Sequence, residues 1–268
     1  MNTLPDVQPV PHSVSLLVVA TGRYQQFVPQ VLASASRHVR GLDRVFLFTD
    51  QRPDQGLEQV VWLPWGHLGW PLPTLLRYRA FSAYRDVLET SGVLLYVDVD
   101  MRFADDIDMS DVSGLLAVEH PGYVGQAVGG LPYERRPESA CCVPAGAAEA
   151  YFCGGVQGGQ ASQYLDACAE MASWIQSDLD HNIIPVWHDE SAWNRYCALN
   201  PPKTIWGPEY CSPEHEGNLA ARIIALDKNH DAVRGTPWLR RRVVGARRFA
   251  GRARRAAVKV RRVAQSPR

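Results

Sequence analysis

The chain reads as an α/β protein, an open sheet with helices packed on its faces, and three observations predict that class. Its 268 residues are 46% hydrophobic, enough to bury a sizeable core in one large domain. Short apolar runs alternate with segments of helical period in the order strand, helix, strand, strand, helix, strand. The last of these strands runs into paired acids in "LLYVDVDM" (94–101). The carboxyl end of a strand is where open sheets present ligands.

Residues 1–12, rich in Pro and polar groups, form a loose lead-in. "SVSLLVVA" (13–20) is the first buried strand, since its Leu/Val run is too short for a helical pattern. A helix follows over "QQFVPQVLASASRHV", with Pro29 in its first turn, where a missing N–H does no harm. "RVFLFTD" (44–50) and "QVVWLP" (59–64) are the next strands, and an amphipathic helix over 74–90 leads into the strand that ends at the acids. In the second half, "VGQAVGG" and "CGGVQGGQ" read as Gly-rich turns, 160–178 as a helix, and "VWHDESAWNRY" (186–196) as a polar cluster. The six cysteines, Cys141, Cys142, Cys153, Cys168, Cys197 and Cys211, show neither CxxC nor His/Cys ligand spacing. Free thiols are expected, not a zinc site or a disulfide framework.

Side chains alternate along an extended segment, so Asp98 and Asp100 are expected on one face. Two like charges so close repel unless a cation lies between them, and a hard ion such as Mn²⁺ or Mg²⁺ suits two carboxylates and the phosphates of a substrate. A solvated acidic strand end is the plainer alternative. Trp187, His188, Asp189 and Glu190 form a second cluster. It can supply general acid/base groups or a nucleophilic carboxylate, or simply cap a helix N-terminus.

Taken together, "GRYQQFVP", "FLFTDQ", "LLYVDVDM", "EHPGY", "YERRPESA", "YFCGGVQGG", "VWHDESAWNRY", "GPEY" and "ALDKNHDAVR" resemble glycosyltransferase family six, which includes the histo-blood-group transferases. The resemblance implies the GT-A fold: a Rossmann-like nucleotide-sugar half over 13–102 and an acceptor-binding and catalytic half over 103–236. It implies a retaining hexosyltransferase that moves α-GalNAc or α-Gal from the UDP-sugar to the 3-hydroxyl of a galactose-type acceptor in an oligosaccharide or glycolipid. By the same resemblance Tyr24 would stack on uracil, Asp98 and Asp100 would hold ribose and Mn²⁺, and Glu190 would be the catalytic carboxylate. Asp189 and Arg77 (preferred to Arg79) would grip the donor, Lys228 and Arg234 would close over the diphosphate, and His120, Trp187 and His188 would contact the acceptor. Cys153 and Gly155, flanking Gly154, would tune donor choice; Gly155 lacks a Cβ and so leans to UDP-GalNAc. Bacterial relatives with Asn for both aspartates work without metal; this chain keeps both, so Mn²⁺, or Mg²⁺ in its place, is expected. "CSPEHEGN" lacks the family's aromatic-acid pattern, and no acceptor contact carries over there.

Formal charge is zero overall, yet twelve of the 28 basic residues lie after residue 236 with no acid among them. The tail is therefore +12 and the body −12. Residues 237–268 read as a basic helix whose apolar stripe, Leu239, Val243, Ala246, Ala250, Ala253, Ala257 and Val260, suits an anionic membrane surface; nucleic acid is not the expected partner. A solvated tail, or one bound to the acidic body, is the alternative. With no apolar leader at its start, the chain is expected in the cytoplasm, peripheral on the inner membrane face. A non-catalytic nucleotide-sugar or glycan binder of the same fold is the competing function; it would have no need for Glu190 beside both aspartates.

Overall fold

The computed structural model describes residues 13–52 and 59–234. The lead-in (1–12) and the basic tail (237–268) lie outside the described residues. The first half runs β1 (Val14–Val19), α1 (Val28–His38), β2 (Leu42–Thr49), β3 (Val60–Pro64), α2 (Leu72–Leu75), α3 (Arg77–Ala83), α4 (Arg85–Leu88) and β4 (Val93–Val97). The second runs β5 (Met101–Phe103), β6 (Leu115–Glu119), β7 (Phe152–Gln160), α5 (Ala161–Asp180), α6 (Asp189–Leu199), β8 (Thr204–Trp206), β9 (Ser212–Pro213), β10 (Ile223–Ala225) and α7 (His230–Arg234).

Seven strands form one sheet in the order β3-β2-β1-β4-β7-β6-β8. The first four are parallel, β7 is antiparallel to both β4 and β6, and β8 is parallel to β6. The mixed α/β architecture expected from the sequence is thus present. β7, from the second half of the chain, pairs with β4 of the first half on one side and with β6 on the other, so one sheet contains strands of both halves.

Both faces of the central strands are covered, so β1, the second part of β2 and β4 are apolar almost throughout, whereas the edge strands β3 and β8 stay partly exposed. Successive side chains alternate between two clusters: Leu17, Phe46, Phe48, Leu94 and Tyr96 pack with Phe81, Tyr164 and Trp193 on one face. Leu16, Val18, Leu47, Leu95 and Val97 pack with Val31 and Ala35 of α1 on the other. That two-sided burial is why these runs were readable as strands.

Three local readings need correction. "CGGVQGGQ" is no turn but most of β7, a nine-residue central strand. Its glycines answer to crowding: a Cβ on Gly158 would sit 2.2 Å from the Leu94 carbonyl oxygen, and one on Gly159, at φ +143°, would sit 2.3 Å from that of Gly114. The single helix over 74–90 is three short ones, broken at Leu76 and Tyr84, whose backbones leave the helical well. Asp98 and Asp100 lie beyond the end of β4, in a tight turn closed by the Met101 N–H donating to the Asp98 carbonyl at 3.0 Å. Strand alternation therefore does not set their directions.

A small second sheet, β5-β10-β9, follows that turn. It draws the C-terminal segment against the acids, with Leu226 N–H donating to the Asp100 carbonyl at 2.9 Å.

Candidate active site

The carboxyl end of β4 opens into a cleft of about 200 Å³. Side chains line it from the end of β1 and the 3₁₀ turn Gly22–Phe27 after it, from α2 and the start of α3, from β4 and the turn after it, from the N-terminus of α6, and from the C-terminal segment. Twelve of the expected residues line it: Tyr24, Arg77, Asp98, Asp100, Gly154, Gly155, Trp187, His188, Asp189, Glu190, Lys228 and Arg234. Arg77 is buried in the cleft wall, whereas Arg79 faces solvent.

Arg77 is the electrostatic centre. Its Nη1 donates to Asp98 Oδ1 at 3.0 Å and to the Gly154 carbonyl at 3.2 Å, Nη2 lies 3.2 Å from Asp189 Oδ2, and the guanidinium sits 4.5 Å from the centroid of the Tyr96 ring. Burial opposes its charge, but Asp189, Tyr96 and Asp98 outweigh burial, so Arg77 stays protonated. Two acids, Asp98 and Asp189, pair with this one guanidinium. Asp189 is pushed up to about 7 by burial first, with Asp98 and Glu190 adding to the rise and Arg77 opposing it.

Glu190 stands at the first turn of α6, where its charge suits the helix dipole. The Tyr151 hydroxyl donates to its Oε1 at 2.7 Å, and the Gly154 N–H donates to Oε2 at 2.7 Å. Burial raises its pKa, and these two donors hold the rise back. The approach depends on the glycine, since a Cβ on Gly154 would sit 3.0 Å from Glu190 Cβ.

His188, just before α6, has φ +56° and ψ −125°, a backbone rarely adopted by L-residues and costing about 1–3 kcal/mol. Its ring is pushed down to about 4 by burial and by Arg234 and Arg77, so it is neutral at neutral pH. It packs edge-on against Trp70, with centroids 5.1 Å apart, and the Arg234 guanidinium covers the same indole at 3.9 Å.

Hard oxygen donors are present for a divalent ion. Asp98 Oδ1 is taken by Arg77 and by the Tyr96 hydroxyl. A Cβ on Gly155 would lie 3.1 Å from Asp98 Oδ2, so that oxygen faces bare backbone. The Lys228 ammonium rests on Asp100 Oδ2, a cation of the chain itself at the carboxylate. No group of three or more His, Cys, Asp or Glu gathers among the described residues. Two carboxylates are too few to enclose a divalent ion alone, so an ion held by them would need further oxygen donors from outside the protein.

Two expected residues stand elsewhere. Cys153 faces the core, its thiol directed at the Val156 carbonyl at 3.8 Å, because alternation along β7 turns it away from the cleft. His120 packs against Tyr123 and Tyr151 and reaches the cleft only through Tyr151. The space beside Gly155 is also not open: a Cβ there would meet Met101 Cε at 2.6 Å. Sequence reasoning missed Trp70, Tyr96, Tyr151, Gln157 and Asn194. Tyr151 abuts the "GG" motif and Tyr96 precedes the acids by two residues, signals available but unread. Trp70, in a Pro-rich stretch with no periodicity, gave none. All six cysteines are free.

Several known proteins are similar to this chain. The profile of glycosyltransferase family 6 matches residues 76–235. The chain is 27% identical over 238 residues to the rat histo-blood group ABO system transferase 1, covering 83% of this chain and 68% of that one. It is 28% identical to the chicken globoside alpha-1,3-N-acetylgalactosaminyltransferase 1, over 84% of this chain and 70% of the other. With the Escherichia coli O-antigen biosynthesis glycosyltransferase WbnI it shares 31% over 169 residues, 62% of this chain and 72% of the relative.

Proposed function

The chain belongs to glycosyltransferase family 6, and from that premise we propose that it moves α-GalNAc or α-Gal from a UDP-sugar to the 3-hydroxyl of a galactose-type acceptor, with retention. The observation that carries this reading is Arg77 bridging Asp98 and Asp189 in the cleft where Glu190 stands at the first turn of α6. Tyr24 offers its ring to uracil at the mouth of β1. Lys228 and Arg234 are donors for the diphosphate, whose negative charge grows as the sugar leaves. Glu190, hydrogen bonded but retaining lone pairs, stands ready to bond the anomeric carbon or to stabilise positive charge there. Neutral His188, with Trp187 beside it and His120 behind Tyr151, offers hydrogen bonds and an apolar face to an acceptor sugar. Asp98 and Asp100 would hold Mn²⁺ or Mg²⁺, which when bound neutralises charge on the diphosphate.

The acceptor is an oligosaccharide or glycolipid of the blood-group type in this reading, and the enzyme works in the cytoplasm, held at the inner membrane face by residues 237–268. No described helix is long and apolar enough to cross a membrane. The test is UDP release from UDP-GalNAc and UDP-Gal, with and without Mn²⁺, on plain and fucosylated galactosyl acceptors. Turnover that needs both acceptor and metal supports the proposal; folded protein inert in every combination defeats it.

A further inference from the structure

Glu190 could swing, and something must fix it. A glutamate side chain has three rotatable bonds, and a carboxylate that must meet one carbon atom needs a single rotamer to be populated. Two anchors come from β7 and its approach. The Gly154 N–H takes Oε2, and the Tyr151 hydroxyl takes Oε1 from the other side. The frame on which they act is rigid. Asn194, one turn after Glu190, accepts from Phe152 N–H and donates to the Phe152 carbonyl, each at 2.8 Å, and donates to the Glu190 carbonyl at 3.0 Å. This buried amide pins α6 to the residue next to Tyr151.

We propose that Tyr151 is a positioning residue for the transfer reaction: its phenol fixes the rotamer of Glu190 so that the carboxylate's remaining lone pairs face the cleft. The inference rests on the family-based reading of Glu190 and adds a residue to it. Tyr151 is itself held rather than solvated. Its ring lies in a cage with Tyr133, Tyr123 and His120, at centroid distances of 5.3, 5.2 and 5.8 Å. Burial and the facing carboxylate raise its pKa, so it remains a proton donor. Donation to a carboxylate favours the ionised form, countering the burial of Glu190. The other charged groups facing Glu190 are Asp98 from the turn after β4, Arg77 from α3 and Asp189 on its own helix. Tyr151 and the Gly154 N–H are the neutral donors to its carboxylate.

The test uses Tyr151→Phe, which keeps the ring and its packing, beside Tyr133→Phe. The latter deletes the 2.5 Å bond to the Ala150 carbonyl in the same cage without touching Glu190. Glu190 is titrated by ¹³C NMR of glutamate-labelled protein, its signal assigned by its loss in Glu190→Gln, and folding is checked by melting. Expected is an upward move of the Glu190 midpoint by about one pH unit in Tyr151→Phe and none in Tyr133→Phe. The acid limb of kcat should follow it, with kcat roughly tenfold lower and the KM for the UDP-sugar unchanged. An unmoved midpoint in folded Tyr151→Phe overturns the inference. Wild-type protein that transfers no sugar removes the proposed function instead, and the titration still decides the role of Tyr151.

Discussion

Replacing Arg77 with Met removes a charge while keeping length and much of the volume. The guanidinium is nearly inaccessible, with 6% of its side chain exposed against 4% for Asp189 and 34% for Asp98. Breaking a buried ion pair by removing one partner costs about 3–5 kcal/mol, because the other charge stays buried and unpaired. Only Asp189 is stranded in full here, since water reaches Asp98 and screens it. The lower end, about 3 kcal/mol, is therefore expected, or a fall in Tm of roughly 6–12 °C. The sign with pH follows from Asp189. Its folded pKa is already raised, to about 7, above the ordinary carboxylate value, and losing Arg77 raises it further. A raised acid destabilises the fold as pH climbs from its unfolded pKa through its folded one. The gap between wild type and Arg77→Met should thus be widest above pH 7 and shrink towards pH 5. Urea unfolding at pH 5 and pH 8 measures it. A variant within about 1 kcal/mol of wild type at pH 8, or a gap that widens in acid, would refute the reasoning.

Glu190→Gln should lower kcat by roughly 10²- to 10³-fold with little effect on binding of the nucleotide sugar. Because burial raises the pKa of Glu190, wild-type activity should fall on the acid side from above the usual carboxylate range, a limb that pH–rate profiles of the Gln variant should lack. Gly158→Ala forces a Cβ against the backbone of β4 and should cost about 3 kcal/mol or more in melting experiments, whereas Gly66→Ala, with open space around it, should be nearly neutral. Removing residues 237–268 should abolish sedimentation with anionic liposomes and leave transfer to a soluble acceptor intact; retained sedimentation would take the membrane role from the tail.

What the sequence made legible follows burial. β1, the second part of β2 and β4 are covered on both faces and so are nearly continuous apolar runs, which periodicity finds. β7 is equally buried, yet its neighbours approach so closely that glycine replaces the side chains a strand is normally recognised by. The helix over 74–90 kept its amphipathic pattern through two breaks, because backbone kinks leave no mark on hydrophobic spacing. At the site, the charged residues were readable from motifs that also carried the family resemblance. Gln157 and Asn194 were not: their long-range work is hydrogen bonding across 42 to 79 residues of chain, as when Asn194 meets Phe152 and Tyr78 meets Gln157. Cys153 was misplaced for a simpler reason, since a residue adjacent to a motif on a strand faces the opposite side.

The most direct measurement is proton NMR of the product made from UDP-GalNAc or UDP-Gal and a galactosyl acceptor. Expected is a new sugar joined through an α linkage to the acceptor 3-hydroxyl, with one UDP released per bond formed. A β-linked product, or UDP release with no sugar on the acceptor, would contradict it.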